Sequence, residues 1–311
     1  MALIQASFMS ECLTRQVAFN VILPTDRFGP TMPKEEPIKA LYLLHGVTGS
    51  SSFWLTASAL GSLSAMHNLA IIMPDGENHF YTDDEDWFGF KWGEYVGKEL
   101  VEYTRNIFPL SRRREDTLIG GVSMGGYGAI LNGLRYPETF GHIVGISNAL
   151  VTRDVQRRAD TGSDGFSRGY FESIFGDLDK VSGSIHDPWA AAEQLRNSGR
   201  PLPTIYQAVG TEDFLYPVNQ DFRALMEKLA WPDYTYERDP VAMCRTSPSP
   251  ISCEAWPWPV RRRKSRGRRF GGFRKCRRSS HAPDCSSSSD RSCRLVGSEK
   301  VGVRITTFEL P

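Results

Sequence analysis

The stretch Thr117-Leu-Ile-Gly-Gly-Val-Ser-Met-Gly-Gly-Tyr-Gly-Ala-Ile130 limits what this chain can fold into more than any other. Leu118 and Ile119 lead into Gly121-Val122-Ser123-Met124-Gly125, and the residues from Gly126 to Arg135 read as a helix. A Gly-x-Ser-x-Gly segment between a strand and a helix predicts a sharp turn that lifts one hydroxyl clear of a sheet edge. Glycine lacks a Cβ, so at 121 and 125 strand and helix can approach closely. The helix that follows starts directly behind Ser123. Its free N–H groups and positive end then face any anion that develops there. Ser123 is the candidate nucleophile. The competing reading is a glycine-rich strand-to-helix turn in some other α/β protein.

The rest of the chain alternates in the same way. Residues 3–9 and 16–23 read as an opening strand pair, with a loop from Pro24 to Pro30. Ile38–Leu44 reads as a buried strand ending in His45-Gly46-Val47-Thr48-Gly49, a loop fitted to aim a backbone N–H at a ligand. The architecture takes its second oxyanion donor from this loop, so the Val47 N–H pairs with the Met124 N–H. His45 precedes the nucleophile at a strand end and reads as structural. Leu69–Met73 is the next buried strand, and an acidic and aromatic segment follows from His79 to Trp92. That segment reads equally as a pocket wall or as a solvated loop anchored by its aromatics. Asp83-Asp84-Glu85-Asp86 lacks the layout of a calcium loop, which argues against a metal.

Gly93–Phe108 reads as an amphipathic helix and Gly141–Ile146 as a strand. Residues 150–186 suggest an irregular cap, with His186 at its surface, before a helix N-capped by Asp187 with Pro188 in its first turn. Pro203–Gly210 reads as a strand ending in Thr211-Glu212-Asp213-Phe214. An acid just past a strand end, downstream of the serine, is placed to orient a histidine, and Asp213 is preferred to Glu212. The competing role for Asp213 is helix capping, since Val218–Leu229 reads as a helix; Asp233–Arg238 reads as an edge strand.

Charge divides the chain near residue 240. Residues 241–311 hold 16 Lys/Arg against 5 Asp/Glu and five of the six cysteines, although the whole chain carries only +1. Cys12 stands alone before that point, so no disulfide framework is expected. With no basic leader and no long apolar run, the expectation is a cytoplasmic protein without a membrane span.

Leu43-Leu-His-Gly46, Gly121-Val-Ser-Met-Gly-Gly-Tyr-Gly128 and Glu212-Asp-Phe-Leu-Tyr216 together resemble the esterase D and tributyrin esterase family of α/β-hydrolases, relatives of S-formylglutathione hydrolases. The resemblance covers residues 1–239. It implies an α/β-hydrolase fold at 1–240, with a mainly parallel sheet and helices on both faces, followed by an irregular basic tail. It implies a cofactor-free serine carboxylesterase acting on short acyl esters, with Ser123 as nucleophile, Asp213 as acid and Val47 and Met124 as oxyanion amides. The loop after Gly46 lacks the cysteine of the formylglutathione branch, so simple esters fit better. S-formylglutathione hydrolysis and acyl transfer are the alternatives within the fold. A small ester is the expected partner. Oligomeric state is not legible.

One part of the family pattern is absent. A Gly-x-His motif belongs after the last strand, where this chain reads Asp239-Pro-Val-Ala-Met-Cys244, and the next histidine is His281. Three readings follow. His281 completes the triad across a long insert, or 241–295 is a basic tail binding nucleic acid or anionic membrane on a non-catalytic scaffold. The third and preferred reading is a shifted frame. Deleting one C from GAC-CCC-GGT-GGC-CAT-GTG turns Asp-Pro-Gly-Gly-His-Val into Asp-Pro-Val-Ala-Met-Cys, the residues found at 239–244. The tail has no spaced aromatic or Cys-x-x-Cys pattern for a nucleic-acid or zinc module, so nucleic acid is not an expected partner.

Overall fold

The computed structural model describes residues 1–25, 37–56, 59–84, 89–160 and 166–239, all within one compact unit. Residues 240–311, including His281, lie outside the described residues, as does the proposed boundary at 240. Eight strands form one sheet in the order β1-β2-β4-β3-β5-β6-β7-β8. β1 (Ala2–Ser10) and β2 (Arg15–Leu23) pair antiparallel, and β2 joins β4 (Leu69–Pro74) antiparallel. β3 (Lys39–Leu44), β5 (Thr117–Val122), β6 (His142–Ile146), β7 (Thr204–Gly210) and β8 (Tyr234–Asp239) continue as parallel neighbours.

The near-continuous apolar runs of β3, β4 and β5 follow from burial on both faces. Ala40, Tyr42 and Leu44 join the main core, while Leu41 and Leu43 on the opposite face are fully buried as well. Helix α1 (Leu60–His67) packs on β2 and β4. A helical turn α2 (Trp92–Glu94) runs through a π-turn at Tyr95–Glu99 into α3 (Leu100–Ile107), where one amphipathic helix is expected. Helix α4 (Met124–Arg135) lies on β5 and β6 and is almost wholly buried. That burial explains its run of small residues and apolar side chains.

The stretch 150–186 departs from the expected irregular cap. It contains a helix, α5 (Arg168–Phe175), whose Phe171 and Phe175 are buried against Phe80 and Tyr127. Aromatic burial supplies the stability that the polar sequence around it conceals. Asp187 caps α6 (Pro188–Asn197) as expected, its carboxylate accepting from the Trp189 N–H at 3.1 Å. His186 is not at the surface. It is 1% exposed, with Nδ1 2.7 Å from the Thr82 hydroxyl, and burial pushes its pKa down to about 4. Helix α7 (Tyr216–Lys228) completes the layer beside β7.

Candidate active site

Four chain segments leave the C-terminal edge of the parallel strands side by side, where open α/β sheets bind ligands. Leu44 pairs with Gly121, Val122 with Ile146, and Ile146 with Ala208, so the loops after β3, β5, β6 and β7 meet in that lateral order. Ser123 follows β5 immediately, with φ 56° and ψ −118°. A positive φ at a residue with a Cβ is costly and persists only where the surroundings enforce it. Here they do. The Ser123 N–H donates to Ile146 O at 3.0 Å, and its carbonyl accepts from the Tyr127 and Ala149 N–H groups at 2.9 and 3.0 Å. A Cβ at Gly121 would lie 2.4 Å from Gly125 O, and one at Gly125 would lie 2.3 Å from Leu44 O. Both glycines are therefore required by backbone contact. The turn expected from the motif is present, and Ser123 remains partly exposed.

Gly46 borders the same spot. A Cβ built on it would be 3.5 Å from the Ser123 Cβ. Thr48, at φ 65°, donates its N–H to the Asn78 side chain at 2.8 Å. Among the described residues neither the Val47 nor the Met124 N–H donates to a protein acceptor. Met124 opens α4, so its amide is one of the first-turn donors a helix leaves unsatisfied.

Asp213 is 5% exposed, whereas Glu212 is exposed. One Asp213 carboxylate oxygen accepts from the Leu215 N–H at 2.9 Å, and the other is buried without a hydrogen-bond partner. That contact closes a turn ahead of α7, whose N-cap is Leu215 with no side-chain cap bond. Asp213 is therefore not the helix cap, and its second oxygen stays available to an N–H donor. Among the described histidines, His45 bonds Gly46 and Gly76, His142 contacts Glu115 O, and His79 stacks on Trp92. The segment after His79 is anchored by buried aromatics: Phe80, Tyr81 and Trp92 are each at most 4% exposed. Asp83 is not solvated but buried in an ion pair with Arg135 at 3.0 Å.

Two groups were missed in the sequence. The Tyr81 hydroxyl accepts from the His45 N–H at 3.0 Å and donates to the His45 carbonyl at 3.1 Å. Asn219, fully buried in α7, holds the loops after β6 and β7 together. Its amide donates to Asn148 O and Leu215 O at 2.9 and 2.8 Å, and its oxygen accepts from the Asn148 and Gln207 amides at 2.9 Å. A polar residue on the apolar stripe with Phe222 and Met226 is the one signal that marks Asn219 in the sequence.

Comparison with known proteins agrees with this geometry. A profile of the Esterase family matches residues 10–230. An acetyl esterase of Caldicellulosiruptor saccharolyticus is 38% identical over 243 residues, covering 77% of this chain and 91% of the relative. Among solved structures, the fluorophosphonate-binding serine hydrolase FphF of Staphylococcus aureus, with substrate bound, superposes with a TM-score of 0.67 at 29% identity, covering 78% of this chain and 91% of that one. The S-formylglutathione hydrolase FrmB of Staphylococcus aureus gives a TM-score of 0.66 at 28% identity over the same shares. By sequence and by fold, the chain belongs to the Esterase family and is a carboxylic ester hydrolase.

Proposed function

We propose that the chain cleaves short-chain acyl esters, acetyl esters foremost, with Ser123 as nucleophile. The strained turn at Ser123 carries this reading, because nothing in packing alone requires a serine there at positive φ. Ser123 attacks the ester carbonyl and the alcohol leaves. Water then releases the acyl group from the serine. The Val47 and Met124 amides stabilise the oxyanion of each tetrahedral intermediate. Asp213 orients the base. Strands β5 and β7 are two places apart, about 9.5 Å by ordinary strand spacing, and an imidazole with a hydrogen bond at each nitrogen suits such a gap.

The acetyl esterase relative, at 38% identity, supports simple esters over S-formylglutathione, whose hydrolase in Staphylococcus aureus is 28% identical. Labelling with a fluorophosphonate probe tests the nucleophile. The label is expected on the Ser123 peptide, and Ser123→Ala is expected to abolish it together with p-nitrophenyl acetate hydrolysis. Label elsewhere, or full activity in Ser123→Ala, overturns the assignment. Faster turnover of S-formylglutathione than of p-nitrophenyl acetate overturns the substrate class.

A further inference from the structure

The region beneath the oxyanion loop contains a buried polar cluster with no part in the acyl-transfer steps. His45 is 0% exposed. Its Nδ1 lies 2.8 Å from Gly46 O and its Nε2 lies 3.0 Å from the Gly76 N–H. A carbonyl only accepts and an amide N–H only donates, so both partners demand the same tautomer, with the proton on Nδ1 and a lone pair on Nε2. The Asp75 carboxylate, 3.6 Å from Nε2, is the more distant neighbour.

The partner of Nδ1 matters because of which peptide it belongs to. Gly46 O and the Val47 N–H are the two ends of one planar trans peptide and point in opposite directions. A bond that holds the carbonyl toward the imidazole turns the amide away from it, and Gly46 borders the nucleophile turn, since a Cβ built on it would lie 3.5 Å from the Ser123 Cβ. We propose that His45 is the positioning residue of the oxyanion hole: its Nδ1–H locks the Gly46–Val47 peptide so that the Val47 N–H is presented to the oxyanion. This rests on the reading of Val47 as an oxyanion donor.

Three further features fit that task. The Gly49 N–H donates to the same Gly46 oxygen at 3.1 Å, and a Cβ at Gly49 would lie 2.9 Å from both that oxygen and His45 Nδ1. Glycine at 49 is therefore what lets the loop close on the imidazole. The Tyr81 hydroxyl, bonded to both the N–H and the carbonyl of His45, fixes the backbone from which the imidazole projects. Glycines clear the space for that ring, since a Cβ at Gly76 or Gly128 would come within 2.0 or 2.6 Å of it. Phe80 and Tyr81 both adopt φ 54° to deliver it. A core aromatic with no positional duty would not need two consecutive strained residues.

A matched pair of substitutions in the full chain separates positioning from packing. The amide nitrogen of Asn superposes on imidazole Nδ1, whereas the amide of Gln reaches the place of Nε2. His45→Asn keeps a donor for Gly46 O and loses the Gly76 link; His45→Gln does the reverse. His45→Gln is expected to lower kcat for p-nitrophenyl acetate about 10²–10³-fold, the cost of one oxyanion donor, with KM within about twofold. His45→Asn is expected to stay within about fivefold of the native kcat. Hydrogen exchange at the Gly49 amide gives a second readout that needs no turnover. It should accelerate in His45→Gln, as the shared carbonyl swings away, and hold its native rate in His45→Asn. Equal kcat values in the two variants, or Gly49 protection retained in His45→Gln, overturn the proposal. Should the full chain show no esterase turnover, as the shifted-frame reading expects, the Gly49 amide decides this proposal by itself.

Discussion

At the scale of single residues, the structure assigns consequences that side-chain chemistry alone does not. A methyl group at Gly121 meets the Gly125 carbonyl at 2.4 Å, a backbone atom that cannot yield without moving α4. Gly121→Ala is expected to lower stability by about 2–3 kcal/mol, the usual cost of forcing an extra group into a filled core. Urea denaturation checks this, and an unchanged midpoint contradicts it. His186 gives a pH signature. Burial, with the nearby Arg135 charge adding to it, holds the folded imidazole neutral down to about pH 4. The unfolded chain takes up that proton near pH 6.5. Between those values the unfolded state binds more protons, so stability is full above the upper value and drains as pH falls toward the lower one. About 2 kcal/mol should be lost from pH 7 to pH 5 through this group, and His186→Gln should flatten that part of the profile. A native protein equally stable at both pH values contradicts the assignment. The sharp turn at Ser123 was legible from its motif, and the presence of a carboxylate at 213 just past a strand end was legible from the order of elements. The burial of His186 was not, because the ring packed against it, Phe175, comes from α5, inside a stretch whose polar composition masks a helix.

At the scale of elements, β5 and α4 form one unit with the turn between them, and α7 ties the acid loop to it. Asn219 carries that tie through one side-chain amide that serves the loops after β6 and β7 at once. Asn219→Leu would keep the volume but leave the Asn148 backbone N–H and side-chain amide without their shared acceptor in a dry interior. The Asn148 and Leu215 carbonyls keep the Leu150 and Asn219 N–H groups, and Gln207 keeps the Asn219 carbonyl. Each orphaned group costs about 1–3 kcal/mol, so a loss of at least about 2 kcal/mol is expected by denaturant titration. A loss below about 1 kcal/mol would mean that the polar network relaxes at little cost. Strand and helix positions followed from periodicity: β3, β4, β6 and β7 lie within a residue of their expected bounds. The π-turn at Tyr95–Glu99 did not, since one extra residue in a helical turn leaves the apolar pattern nearly unchanged.

At the scale of the whole molecule, the proposed pairing of Ser123 with Asp213 calls for a base between them. Asp213 offers a buried oxygen without a partner, and no described histidine bonds it. On the shifted-frame reading, His281→Ala changes the esterase rate less than about twofold. A gene with the single C restored at codon 240 should gain on the order of 10⁶ in kcat, the contribution of a triad histidine. A loss of activity in His281→Ala would instead assign the base to that residue. Among the described residues no helix is long and apolar enough to cross a membrane. What the sequence determined by itself was local and periodic. Buried strands, amphipathic helices and a glycine-flanked serine each impose their pattern within a few residues, which is why the fold class and the sharp turn at 123 could be read directly. What only the tertiary structure decided was which distant groups meet. The Gly76 N–H on the His45 imidazole, the Tyr81 hydroxyl on the His45 backbone and the Asn219 bridge all join segments far apart in the chain. Hydrogen bonds of that kind depend on atoms brought within 3 Å by packing, and no spacing along the chain encodes them.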